Sequence, residues 1–124
     1  MGFIHGGRLD GTEVSSFVKD WSFTDPVKTI QLETAPDDPY SVNVWCVAKD
    51  ANLWVTASSQ DSAWAKNMIA DPRVRVRVGD KLYPRRAVRV TDPLEAKLVR
   101  TLYEKKYETD RESDAGLQFR LDPP

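Results

Sequence analysis

The segment Arg73-Val74-Arg75-Val76-Arg77-Val78 alternates charged and β-branched residues without a break. Side chains of a strand point alternately to opposite faces. The pattern therefore fits an extended chain with one apolar and one charged face, and fits no helix. Gly79-Asp80 follows as a turn, and residues 81–90 (KLYPRRAVRV) return as the antiparallel partner. Pro84 has no N–H to give to a ladder and belongs at an edge or a bulge. The chain is thereby committed to a hairpin whose valines other elements must cover.

The rest of the sequence supplies those elements. Residues 27–34 (VKTIQLET) and 40–49 (YSVNVWCVAK) read as strands around the proline-bracketed turn 35–39 (APDDP). In the second strand Val42, Val44, Cys46 and Ala48 share one face, and Ser41, Asn43, Trp45 and Val47 share the other. A short connection leads to a strand over 53–57. Residues 58–61 (SSQD) offer N-cap groups to a helix over 62–70, which carries Trp64, Met68 and Ile69 on one side and ends at Asp71-Pro72. Asp92 as N-cap, Pro93 at the first helical position and Glu95 in the capping-box position start the longest helix. Its apolar stripe is Leu94, Leu98 and Leu102, widened by Val99 and Tyr103. The spacing of Val14, Phe17, Val18 and Trp21 predicts a short helix over 13–21. Residues 108–114 read as a charged linker and 116–121 as a last strand, with Leu117, Phe119 and Leu121 on one face.

Many short strands joined by short turns, with two firm helices, point to a mainly β protein with helices (α+β). The economical form is an antiparallel barrel with helices packed on it. Residues 1–12 hold four of the six glycines and read as a flexible N-terminal arm; 13–124 read as a single domain.

Charge and special residues narrow the function. The net charge is −1, yet residues 73–89 carry seven Lys/Arg against one acid, Asp80, so that segment is +6 and the remainder −7. A basic face on an acidic chain marks a site or internal charge pairing, and argues against a nucleic-acid partner. Across the hairpin the arginines 73, 75 and 77 lie near 85, 86 and 89, where like charges repel. A phosphate ligand would compensate them, and so would Asp37, Asp38 or Glu104 of this or a second subunit. Cys46 is the only cysteine, which excludes an intrachain disulfide and suits a reducing compartment. His5 is the only histidine, which leaves no partners for a histidine triad or a zinc site. The apolar runs are too short for a membrane span, so the expectation is a soluble cytoplasmic protein with no membrane partner.

Trp64, Asn67 and Pro72, in the pattern W-x-x-N-x-x-x-x-P before an alternating valine strand, resemble the split-barrel superfamily of flavin and deazaflavin reductases. That superfamily includes the pyridoxamine-phosphate oxidases. Ala87, Val90, Thr91 and Asp92, leading into a helix, are similar to its deazaflavin-dependent nitroreductase branch. The resemblance covers roughly residues 40–107. It implies a six-stranded antiparallel split β-barrel with two or three packed helices. It also implies a homodimer with cofactor sites at the interface, an FMN or deazaflavin coenzyme, and reduction of a small-molecule substrate by hydride transfer. Two departures are plain. The branch carries a glycine-rich basic turn for coenzyme phosphate where this chain has the acidic 35–39, and the flavin oxidases carry S-R-K where this chain has Ser62-Ala63-Trp64.

Under that resemblance Ser58, Ser59, Gln60 and Arg85 would hold phosphate, while Thr56, Trp45 and Trp64 would line the ring. From the residues alone, Thr56, Ser58, Ser59 and Gln60 form either an anion cradle at a helix N-terminus or ordinary helix caps. Trp45 and Trp64 are a ring wall or packing residues, and Trp54 favours packing. Lys66 is a solvated helix lysine or a phosphate ligand. No side chain is required as acid or base, because a bound coenzyme would carry the chemistry. The alternative is a cofactor-free barrel dimer that binds another small ligand or a protein partner.

Overall fold

The structure, a computed structural model, describes residues 6–108 and 116–124. The elements run β1 (Thr12–Glu13), a 3-10 turn (Ser22–Thr24), β2 (Thr29–Thr34), β3 (Tyr40–Lys49), β4 (Asn52–Ala57), α1 (Ala63–Ala70), β5 (Arg73–Val78), β6 (Lys81–Arg89), α2 (Pro93–Tyr107) and β7 (Leu117–Asp122). The sheet order is β1-β6-β5-β2-β3-β4-β7, and a second pairing of β6 with β7 closes six strands into a barrel. Every pairing around that ring is antiparallel; only β1 joins in parallel, outside it, on β6.

Period-two patterning decides what points inward. Val74 and Val76 join Ile30, Leu32, Val42, Val44, Cys46, Val55, Phe119 and Leu121 in one buried cluster, to which α1 adds Ala65 and Met68. Burial pushes the Cys46 thiol up, as expected of an inert core cysteine. Pro84 sits between the β1 pairing at 81–82 and the β7 pairing at 86–89, where β6 has a strand neighbour on one side only. A missing N–H is tolerated there.

The helix expected over 13–21 does not form. Val14 N–H donates to Leu82 O at 2.7 Å, continuing β1, and Trp21 N–H donates to Asp50 O at 2.9 Å. One end of the segment is thus tied to β6 and the other to the β3–β4 turn, and nine residues rich in serine and valine nucleate a helix poorly. Trp21 is fully buried instead, edge-on to Tyr83 at 5.0 Å, while Phe17 is exposed.

α2 lies over the outside of β3 and β4, where Val47, Trp54 and Val99 form a second cluster with Leu98, Leu102 and Tyr103 around it. Asp92 caps it by accepting Glu95 N–H at 3.1 Å. The reciprocal half of the capping box is absent, because the Glu95 carboxylate accepts from Trp54 Nε1 at 2.8 Å and pairs with Arg120 at 2.9 Å. Leu94 departs from the expected stripe and is 78% exposed, since the buried face of α2 begins a turn later.

The arginine row is satisfied within the chain. Gln31 faces Arg77 and Glu33 faces Arg75 across the β2–β5 ladder. Arg75 donates Nε and Nη2 to the Glu33 carboxylate at 2.7 and 2.8 Å. The pair also grips the N-terminal segment: Glu33 accepts Leu9 N–H at 2.7 Å and Arg75 donates to Leu9 O at 3.0 Å. Arg77 donates to the Gln31 side chain and to Asp10 O. Arg73 pairs with Asp71 at 2.7 Å and reaches Asp37 at 3.5 Å. Of the acids expected to compensate the row, Asp37 does so weakly; Glu33, hidden in a strand, does most. Burial alone would raise the Glu33 carboxyl, but hydrogen bonds from Arg75 and Leu9 and the Arg75 charge hold it below the usual value. The described part of the segment read as an arm therefore lies on the barrel, with Leu9 buried and Gly6 bridged to Ser41. His5 lies outside the described residues, as does all of the linker 108–114 except Glu108.

The β2–β3 ladder stops at Thr29 opposite Trp45. Side chains from the end of α2 fill the gap beyond it. Cys46 N–H donates to Tyr107 Oη at 2.9 Å, and the hydroxyl proton is placed between Lys28 O at 2.7 Å and Cys46 O at 2.9 Å. Lys106 Nζ donates to Cys46 O and Thr24 O at 2.8 and 3.0 Å. The lysine and tyrosine stand in for the β2 neighbour that β3 lacks past Thr29, and so fill the split between these two strands.

Candidate functional site

A cavity of about 400 Å³ opens on the outside of the barrel, between β3, β4 and β7 and the helix α2, next to the start of α1. Alternation along β3 turns Trp45 outward into it. The residue is 43% exposed, and its ring stacks face to face on Tyr107, with centroids 4.0 Å apart and planes 3° apart. Tyr103 extends this stack at 5.7 Å. Trp64, in the first turn of α1, forms another part of the wall.

Thr56 of β4 and Gln118 of β7 are register partners and both line the cavity. Arg100 and Glu104, one turn apart on α2, stand at the same cavity. The Tyr103 hydroxyl donates to Trp45 O at 3.2 Å and lies beside Thr56. Burial pushes the Tyr103 and Tyr107 hydroxyls well above the ordinary phenol, so both stay neutral donors. Three buried side-chain polar atoms among the described residues have no hydrogen-bond partner in the protein. They are Trp21 Nε1, Thr56 Oγ1 and Gln118 Oε1, and the last two belong to residues that line this cavity.

Of the residues expected to form a site, Trp45, Thr56, Ser58 and Trp64 meet here. Ser59 is turned to its own loop: its Oγ accepts Asp61 N–H at 3.0 Å. Gln60 and Lys66 are exposed and do not line the cavity. Arg85 is elsewhere, 5% exposed, its guanidinium 5.3 Å from the centroid of the Trp21 ring and donating to Pro84 O at 2.7 Å. Burial lowers its pKa, and no carboxylate within the described residues forms an ion pair with it. The expected capping of α1 by 58–61 is not made. Ser62 is the N-cap and gives no side-chain cap bond. The turn 35–39 carries Ala35 at φ 53° and an Asp37 side chain that is 91% exposed, so it presents carboxylate rather than a phosphate grip.

Sequence reasoning missed Asn43, Arg100, Tyr103, Glu104 and Gln118 as cavity residues. Gln118 had a signal. The inward set Leu117, Phe119 and Leu121 leaves it outward, on the face of Thr56 once β7 lies against β4. The signature Asn67 has a structural role: its Nδ2 donates to Thr34 Oγ1 at 3.0 Å and ties α1 to β2. Among the described residues no group of three or more His, Cys, Asp or Glu is placed to hold a metal ion, and no helix is long and apolar enough to cross a membrane.

Known proteins with this architecture agree with the geometry. A putative pyridoxamine 5'-phosphate oxidase from Listeria innocua superposes with a TM-score of 0.67 at 13% identity, over 82% of this chain and 88% of that one. A conserved hypothetical protein from Mycobacterium tuberculosis gives 0.69 at 20% identity, over 90% and 85%. A structure described as an F420-H2 dependent reductase gives 0.62 at 20% identity, over 77% and 95%. These likenesses establish the split-barrel fold. No match was found among the curated proteins. The family model described as F420H(2)-dependent quinone reductase matches residues 37–118, from the acidic turn through the cavity floor, and covers more than half of the sequence. The chain belongs to the F420H(2)-dependent quinone reductase family, within the split-barrel superfamily of flavin- and deazaflavin-binding oxidoreductases.

Proposed function

We propose that the Trp45/Trp64 cavity holds the ring of a deazaflavin coenzyme, and that the protein is a reductase acting on a small quinone-like acceptor. The observation that carries this reading is the cavity itself. Its volume of about 400 Å³ suits a tricyclic ring. Its wall includes an exposed indole face already aligned by stacking on Tyr107. The family description supports deazaflavin over FMN, and a quinone as acceptor.

When bound and reduced, such a coenzyme supplies the hydride. The chain's own residues bind and orient. Trp45 and Trp64 fix the ring plane, and Arg100 at the rim offers a cation to an anionic substituent. The turn 35–39 does not fit a phosphate, so this chain's hold on the coenzyme rests more on the ring than the family pattern implies. Trp45 leaves the cavity partly open, and a second copy of the chain would cover it; a homodimer is part of this reading. The acidic turn favours one other reading, a cofactor-free barrel that binds a different planar ligand.

Thermal unfolding with saturating deazaflavin coenzyme, and separately with FMN, decides between them. A ligand at 100 times its Kd stabilises by about 2.7 kcal/mol, a shift of several degrees. The expected result is a clear rise with the deazaflavin, mostly lost in Trp45→Ala. No rise with either ligand would leave the cofactor-free reading.

A further inference from the structure

The floor of the cavity carries a polar pair that the fold leaves unused. Thr56 Oγ1 and Gln118 Oε1 are buried, directly opposite each other on β4 and β7, and have no protein partner. Leaving a buried acceptor or hydroxyl unpaired is costly, so such atoms mark a place where something else completes the bonding. The Gln118 amide orientation is not arbitrary. Its Nε2 donates to the Ala96 carbonyl at 3.2 Å, a group that can only accept, so Oε1 is left as a pure acceptor. Thr56 has a hydroxyl proton to give. The neighbouring Tyr103 hydroxyl gives its proton to Trp45 O; its oxygen lies close enough to Thr56 for the threonine to act on the phenol, but no hydrogen bond of good geometry joins the two.

We propose that this pair reads a lactam edge, an N–H beside a C=O, on the ring held in the cavity. Gln118 Oε1 accepts from the N–H and Thr56 Oγ1 donates to the C=O. The proposal rests on the coenzyme reading above and sharpens it. The dione ring of a flavin or deazaflavin has that edge. A quinone has acceptors only, and would leave Gln118 Oε1 unpaired. The floor therefore belongs to the coenzyme, and the quinone-like acceptor approaches from the open side, at the rim of Arg100 and Glu104. Selectivity of this kind is strong because it penalises the wrong ligand with an unpaired buried atom.

The test uses ring probes without phosphate, so that the weak turn 35–39 plays no part. Binding of lumiflavin and of 3-methyllumiflavin is followed by quenching of ligand fluorescence. The methyl group removes the only ring N–H. Lumiflavin should bind, and the methylated ring should bind at least ~10-fold more weakly, the loss expected for one buried hydrogen bond. Thr56→Val should weaken lumiflavin ~5-fold or more while leaving the ligand-free protein as stable as before or more so, because it removes a buried unpaired hydroxyl without changing shape. Thr56→Ser should restore binding. Gln118→Ala should bind both rings alike. If both rings bind the unaltered protein equally, or Thr56→Val binds lumiflavin unchanged, the lactam assignment is wrong while the ring cavity stands. If neither ring binds, nor 5-deazalumiflavin in their place, the cavity reading falls and this proposal with it.

Discussion

Two polar patches on the outside of this barrel are finished differently. On the β2–β5 side the charges are conspicuous, but Glu33, Arg75, Gln31 and Arg77 bond to one another and to the N-terminal segment. On the β4–β7 side the residues are unremarkable in sequence, a threonine and a glutamine, and their buried oxygens are left open. A charge run that closes on itself is architecture, whereas a quiet pair left unclosed is where a ligand can be read. Arg73, Arg75 and Arg77 bond within their own molecule.

The largest effect should come from breaking the closed side. Glu33→Ala leaves the Arg75 guanidinium and the Leu9 N–H without their acceptor. Glu33 is 3% exposed, so removing one partner of a buried pair should cost about 3 kcal/mol in urea unfolding. Coenzyme affinity, measured where the variant is still folded, should not move. If affinity falls as far as stability, the two sides are not independent.

Next comes Tyr107→Phe. It removes the acceptor of the Cys46 N–H and the donor to Lys28 O and Cys46 O. A buried N–H without a partner costs about 1–3 kcal/mol. The phenyl ring still stacks on Trp45, so ring binding should persist; loss of both would show that the cavity wall depends on the filled split.

Acid should find the closed side first. Glu33 is held below its ordinary 4.5 in the folded protein. It binds its proton more weakly folded than unfolded, so its contribution is complete above the unfolded value and is lost as pH falls through the folded one. Tm measured from neutral pH down to about 3 should fall, and Glu33→Gln should fall less steeply over that window. The smallest effect belongs to Arg73→Ala. Arg73 and Asp37 are solvent-facing and Asp71 is half-buried, and no resolvable change in Tm is expected. A large loss there would mean that the row acts as one cooperative network.

Strand positions were legible because alternation is a direct image of which way side chains point. Residues 73–78 and 40–49 appear as strands with the bounds their patterns implied. The segment 13–21 misled because its apolar spacing reflects separate anchoring of Val14 at β6 and Trp21 at the β3–β4 turn, which spacing alone cannot distinguish from a helix face. Part of the cavity was legible, Trp45, Thr56, Ser58 and Trp64 of its ten lining residues, since outward aromatic residues on β3 and α1 are few. Gln118 and Arg100 were not, because their place depends on β7 pairing with β4 and on where α2 lies. Arg85 looked like an anion ligand from its charge; the inward phase of β6 instead buries it over Trp21.

The filled split has a consequence for amide exchange. The Cys46 N–H is sequestered by a hydroxyl 61 residues away on α2 and not by a neighbouring strand. Its exchange with solvent deuterium is therefore governed by lifting of the helix end, an event that need not open any rung of the sheet. Since Tyr107 also backs Trp45, that one amide becomes a clock for how often the cavity wall lets go.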